Sequence, residues 1–383
     1  MPSAVDRRRL VGVHPERVSD VSSTDFPGHY PGEDNSWDLE KFRKNLRVDI
    51  TRLSNRSIEF DLVGVDASIA NAFRRIMIAE VPTICIEHVY VWNNTSVMQD
   101  EVFAHRLGLV PLNVDPELFE MKTPTDSATD RNTLVFKLDV TCTRKQKAPP
   151  DPTDDNVLYD HSSVTAGDLV WVPQGEQVEL PVFIAKPPAP TNPNIVLVKL
   201  RPGQEVSMEL HAIKGVGKDH AKWTPVATAS YRLLPSVTLD PSKPVPPHRA
   251  DKFAKCFSPG VIEVDSTTKA VRVNEQALRG ESMSREVFRH PEFEGCAKLG
   301  RFRDHFLFNV ESEGPYTPER IFPTSIRIMR EKIAVLRKAA QALLADSDDG
   351  AMDATSERVS VEQGINVAST SEGTSGDVVM MET

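Results

Sequence analysis

The most regular patterning of apolar and polar positions lies between residues 64 and 112. Asp66 is placed to cap a helix, its carboxylate taking an orphan amide of the first turn. After it Ile69, Phe73, Ile76 and Met77 fall at i, i+4, i+7 and i+8, one apolar stripe with Arg74 and Arg75 beside it. Val81-Pro82 ends that helix, because a residue before proline is driven out of the α region. Residues 84–92, β-branched and aromatic, predict a strand. Asp100 is expected to cap a short helix with Phe103, Leu107 and Val110 on its inner side, Gly108 to end it, and Pro111 to forbid its return.

Alternating patterns predict an antiparallel pair at 46–51 and 57–62, a strand at 206–213, a hairpin at 261–265 and 270–274, and a strand at 305–311. Between 113 and 205 prolines accumulate around strand candidates at 133–143, 177–183 and 195–200, with breaker loops at 147–152 and 186–190. A helical turn is expected at 284–290 and a long helix from Thr317-Pro318 to about Ala345. Along it Ile326, Met329, Ile333, Leu336, Ala340 and Leu343 are spaced alternately by three and four, a narrow seam suited to another helix. Packing onto the chain's own sheet is the other use of such a stripe.

A chain of 383 residues, 39% hydrophobic and 26% charged, is that of a soluble globular protein with room for one large or two ordinary domains. The first residues lack the apolar run of a signal peptide and no stretch approaches a membrane span, so an intracellular protein without membrane attachment is expected. From Asp346 onward nine acidic residues face one basic, a net of −8 out of −10, leaving the body near −2 with no basic nucleic-acid footprint. That tail, Ser/Thr/Gly-rich and free of aromatics, is expected to be disordered. Residues 1–45 read as a polar arm carrying the basic triplet Arg7–Arg9.

Catalytic constellations are not apparent. Glu101 and His105 stand one helical turn apart, as two ligands of a metal-dependent hydrolase would, but no third ligand offers itself. Gly215-Val216-Gly217 supplies only part of a dinucleotide-binding fingerprint. Cys85, Cys142, Cys256 and Cys296 are too far apart in sequence for a zinc ribbon, and Cys85 reads as a small buried hydrophobe.

The pairing of N-A-F-R-R-I (71–76) with D-E-x-x-A-H-R-L-G-L-V-P-L (100–112) resembles the dimerisation module of the alpha-type subunits of DNA-dependent RNA polymerases. The run Gly215-x-Gly217-Lys218-x-His220-Ala221-Lys222-Trp223-x-Pro225 is similar to the loop and strand that alpha-like eukaryotic subunits present to the second-largest catalytic subunit. The following V-A-T-A-S-Y-R (226–232) looks more like the subunit shared by polymerases I and III than like its polymerase II counterpart.

The resemblance implies an α+β fold: a discontinuous dimerisation domain (46–112 and 206–345) with an inserted β-rich domain (113–205). It implies a nuclear and nucleolar, non-catalytic assembly subunit that supports synthesis of ribosomal RNA precursors, 5S rRNA and tRNA. Its partners would be a smaller alpha-like subunit, the second-largest subunit and small zinc-binding subunits. The residues carrying those contacts would be Ile69, Phe73, Arg74, Arg75, Ile76 and Met77 on the first helix, Lys218, His220, Lys222 and Trp223 on the loop, and Ile326, Met329, Ile333, Leu336 and Leu343 on the last helix. The helix residues are expected to expose an apolar patch in the isolated chain. The cysteine-clustered zinc of the polymerase II relative and the iron–sulfur clusters of some archaeal relatives lack ligands here, so no cofactor is expected. The acidic tail replaces the DNA-binding domain of bacterial alpha subunits, so direct sequence-specific DNA binding is not expected either. Rival readings are a polymerase II alpha-like subunit and the Glu101/His105 hydrolase.

Overall fold

The computed structural model describes residues 9–21, 36–145 and 155–349. Arg7, Arg8, the whole breaker loop at 147–152 and the tail beyond 349 lie outside the described residues. The described residues up to Glu331 form one compact unit and those from Lys332 to Asp349 another.

The first unit is organised around the strand Ala297–Ser312, twice the length that alternation at 305–311 predicts. It is the spine of a six-stranded antiparallel sheet. Along one edge it pairs with Leu10–Val13 and then Ser57–Val63, and along the other with Val226–Leu239. Val18–Ser19 and Arg47–Leu53 are the outer strands. In this register Phe60 lies opposite Phe308, their rings stacked with centroids 5.0 Å apart. The polar arm expected at 1–45 is therefore in part a sheet component: Leu10–Val13 is a strand, and Leu39–Asn45 is a helix capped by Asp38. Arg9 of the basic triplet forks onto Asp304, with Nε and Nη2 donating at 2.8 and 2.9 Å.

Helix Ala67–Ala79 and the opening turns of helix Pro318–Asp349 cover this sheet. Phe322 joins them, 4.7 Å from the Phe60 ring and 5.3 Å from Phe73. The long helix continues through Pro323, and the Thr324 and Ser325 hydroxyls donate back to the carbonyls of Arg320 and Phe322 at 2.7 and 2.6 Å.

A four-stranded sheet orders Val170–Val172, Thr133–Thr141, Glu205–Gly215 and Thr83–Asn94. Here hydrogen bonding runs across the division expected at 112 and 206. Thr133–Thr141 supplies one edge of Glu205–Gly215, with Phe136 opposite Leu210, while Thr83–Asn94 supplies the other. Ile84, Ile86, Phe103, Leu107, Phe136 and Leu210 are buried in one core, so the β-rich insertion and the module at 64–112 bury their apolar faces together.

Two local expectations are corrected. Residues 177–183 are not a strand but the end of the 3-10 turn Gly175–Glu179 and most of the short helix Pro181–Ala185. Pro181 occupies the first helical turn, and the Gln177 amide donates inward to the carbonyls of Asp130 and Thr133 at 2.6 and 2.9 Å. Asp100 is the first residue of helix Asp100–Gly108 rather than its cap; its carboxylate accepts from Asn94 Nδ2 at 2.6 Å, and Gln99 precedes it. Gly108 is the last residue of that helix, as expected, with Leu109 after it in the right-handed region. A Cβ on Gly108 would sit 3.3 Å from the Ile86 carbonyl oxygen, so its role is close approach to the neighbouring strand.

A third core gathers Phe253, Phe257, Phe293 and the hairpin strands Ile262–Val264 and Val271–Val273, the pair expected at 261–265 and 270–274. Cys256 and Cys296 are buried within it.

Candidate partner-binding surfaces

Helix Ala67–Ala79 starts as its sequence dictates: Asp66 Oδ1 accepts from the Ser68 amide at 2.8 Å. Its apolar stripe splits in two. Ile76 and Met77 are buried in the chain's own core, Met77 completely, which corrects the expectation that they form an exposed patch. The stripe is wider than one contact, and the phenylalanines of the sheet take its inner half. Ile69 and Phe73 are half-buried and reach the surface at the outer half. Arg74 is tied to Asn71 Oδ1 at 3.1 and 2.9 Å, and Arg75 is exposed.

The loop after Glu205–Gly215 divides the same way. Gly215 is required because a Cβ there would lie 2.4 Å from the Trp223 ring, and Gly217 because its Cβ would meet the Ile78 carbonyl at 2.5 Å. The amide of Lys218 donates to the Ala79 carbonyl at 2.7 Å, so this loop closes against the end of the first helix and its glycines serve packing. Trp223 is buried, with Nε1 donating to the Ile213 carbonyl at 3.3 Å. Lys222 pairs with Glu87, donates to the Ile86 carbonyl at 2.9 Å, and lies 4.5 Å from the Trp223 ring centroid. Both side chains thus have partners inside the chain, Trp223 buried and Lys222 half-buried. Lys218, Asp219, His220 and Ala221 form the exposed tip.

Under that tip Cys85 is buried as expected, its Sγ donating to the Lys222 carbonyl at 3.0 Å. Burial pushes its thiol up to about 11, against smaller opposing effects of Thr83 and Lys222. Thr83 Oγ1 donates to the Trp223 carbonyl at 2.7 Å. His105, exposed, faces His220 with ring centroids 6.0 Å apart across a cleft of about 560 Å³ that Glu87 and Asp219 also line. Among the described residues no group of three or more His, Cys, Asp or Glu is placed to hold a metal.

On helix Pro318–Asp349, Ile326 is 36% exposed and Met329 packs partly against the core. In the second unit Ile333, Leu336 and Leu343 are 53%, 70% and 72% exposed, an apolar seam facing solvent.

Sequence reasoning missed several structural residues. Asp61 receives Arg279 and His305, the latter at 2.9 Å, joining segments far apart in the chain. Tyr316 donates its hydroxyl to the Pro82 carbonyl at 3.0 Å, and its phenol is pushed far up by burial. Arg320 bridges Asp115 at 2.7 Å and Glu117 at 3.3 Å. Their sequence positions do not name these partners, which only the fold brings together. The strand Arg47–Leu53 was legible, but not that every residue in it, Val48 and Ile50 included, is exposed.

The sequence profile of the family described as the RNA polymerase Rpb3/Rpb11 dimerisation domain matches residues 59–333. The Saccharomyces cerevisiae protein named DNA-directed RNA polymerases I and III subunit RPAC1 is 49% identical over 86% of this chain and 97% of its own. The Homo sapiens protein of that name is 46% identical over 82% of this chain and 90% of its own. The Dictyostelium discoideum DNA-directed RNA polymerase II subunit rpb3 is 31% identical over 77% and 95%.

Proposed function

The chain belongs to the RNA polymerase Rpb3/Rpb11 dimerisation-domain family, and from that premise we propose that it is the non-catalytic assembly subunit shared by DNA-directed RNA polymerases I and III. One observation carries the choice within the family: identity of 49% and 46% to subunits bearing that name, against 31% to a polymerase II subunit. The hydrolase reading has nothing further in its favour, since Glu101 and His105 gain no third ligand among the described residues.

In this reading the subunit heterodimerises with a smaller alpha-like subunit through apolar surface that its own cores leave open. Ile69 and Phe73 offer such surface on the first helix, and Ile333, Leu336 and Leu343 offer it on the last. A solvent-facing seam of this spacing is stable in water only when a second helix covers it. The tip Lys218–Ala221 contacts the second-largest subunit, with Lys222 and Trp223 bracing it from inside, and small zinc-binding subunits complete the platform. The chain contributes position rather than chemistry, and it acts in the nucleus, nucleolus included, where ribosomal RNA precursors are made.

Affinity purification of the tagged protein from its native cells, with mass spectrometry of stoichiometric partners, tests this. The largest subunits of polymerases I and III are expected together with a small alpha-like chain. Recovery of polymerase II alone would sink the assignment while keeping the family.

A further inference from the structure

A groove of about 520 Å³ lies between the N-terminal strands and the Ala297–Ser312 spine, touching the first helix only at its start, Asp66 and Ala67. It exists because the ladder breaks there. Pairing with Val226–Leu239 jumps from Leu233 opposite Phe306 to Pro235 opposite Arg301, so residues 302–305 bulge where Leu234 stands alone. Proline has no amide to give to the ladder, which suits it to such a break. Val11, Val13, Val18, Leu233 and Phe306 give it an apolar lining.

Arg285, Arg301 and Arg303 line it too, Arg303 donating to the Asp20 carbonyl. Arg285 Nη1 donates to the Pro15 carbonyl at 3.3 Å, a neutral acceptor that leaves its charge uncompensated. Arg301 is exposed, and among the described residues neither it nor Arg285 pairs with a carboxylate. The nearby acids are already engaged: Asp304 holds Arg9, and Asp66, which also lines the groove, caps its helix.

We infer that this groove receives an extended acidic peptide from another polypeptide, an apolar side chain resting on the valine–phenylalanine lining between carboxylates held by Arg285 and Arg301. The argument is charge complementarity. Unpaired guanidinium groups present fork donors matched to carboxylates, and an apolar lining between them rewards one buried side chain. Nucleic acid fits less well, because the body is close to neutral and carries no basic stripe to track a phosphate backbone. The inference does not depend on the polymerase assignment.

Fluorescence anisotropy on the purified full-length chain tests it, with a short fluorescein-labelled peptide whose central Phe is flanked on both sides by Asp and Glu. Comparison probes are the same peptide with Asn and Gln in place of the acids, and a single-stranded oligonucleotide of equal charge. The acidic peptide is expected to bind in a salt-sensitive manner. Arg301→Glu and Arg285→Glu should each weaken binding about tenfold. Val18→Asp, at an exposed position, should abolish it, while all three variants keep the wild-type melting temperature. Equal binding of the neutral peptide, tighter binding of the oligonucleotide, or an acidic peptide indifferent to the three substitutions would overturn the inference.

Discussion

Trp223 lies directly over Gly215, so close that a β-carbon on the glycine would stand 2.4 Å from the indole ring. The loop can fold back on its own strand only because that side chain is missing. Gly215→Ala should push the indole out of its site, cost about 2 kcal/mol, and shift the tryptophan emission of the folded chain to longer wavelength. An unchanged denaturation midpoint and emission would mean the loop relaxes without strain.

Asp61 is a largely buried carboxylate shared by Arg279 and His305. Asp61→Ala leaves a partly buried guanidinium without its partner, and should cost about 3 kcal/mol, with Asp61→Asn costing less. Urea titration should show this as a lower midpoint at constant slope. A loss below about 0.5 kcal/mol would make the pair equivalent to a solvated surface bridge.

The acid limb of stability should contain Glu292. Hydrogen bonding from Lys252, at 2.7 Å, with Arg249 close by at 3.0 Å, holds its carboxyl well below its ordinary 4.5, at about 2. A carboxyl lowered by folding stabilises the native state above its ordinary value, and that stabilisation is lost as pH falls toward about 2. Wild type should therefore exceed Glu292→Gln in melting temperature at pH 6, and the two should converge near pH 2. A gap that stays constant through the acid range would contradict this.

Only the thiolate reacts with iodoacetamide, and Cys85 holds its proton up to about 11. Brief alkylation at pH 8 should leave Cys85 unmodified in the native chain and modify it fully in denaturant. Peptide mass spectrometry gives both readings; modification of Cys85 in the native chain at the rate of a free thiol would show that the loop over it opens.

Two apolar residues from the same sequence reading should now behave oppositely. Leu336 is 70% exposed, so Leu336→Asp should leave the stability of the chain within about 0.5 kcal/mol and abolish recovery of the small alpha-like partner. Met77 is fully buried, so Met77→Asp should unfold the chain before any partner is involved. If the Leu336 variant still co-purifies with that partner in stoichiometric amount, the seam serves something else.

These two residues also mark how far the sequence could be read. Period 3.6 identified the faces of helix Ala67–Ala79 and helix Pro318–Asp349, and the Asp66 cap fixed where the first begins. Period says which side is apolar, not what covers it, and so Met77 and Leu336 looked alike. Residues 177–183 misled for a related reason: Val178, Leu180 and Val182 alternate as a strand would, yet Pro181 with the buried Gln177 amide decided for a helical turn. The loop glycines were legible as a close turn, but the commitment of Lys222 to Glu87 depends on a strand more than 100 residues earlier. The joining of Thr133–Thr141 to Glu205–Gly215 was equally hidden, since alternation marks a strand and does not choose its neighbour.

The position of Ala297–Ser312 along the chain bears on how the protein is made. Val13 pairs with Leu299, Phe60 with Phe308, and Tyr231 also with Phe308, so every strand that forms this sheet's core waits for one synthesised after all of them. Translation at roughly 5–20 residues per second keeps the earlier strands, with their unsatisfied edges, exposed on the ribosome for tens of seconds. Closing such distant pairs is slow in itself, because the loop entropy is lost before the contacts form. The nascent chain is thus a natural client for chaperones, and premature termination anywhere before residue 297 yields a product whose main sheet has no spine.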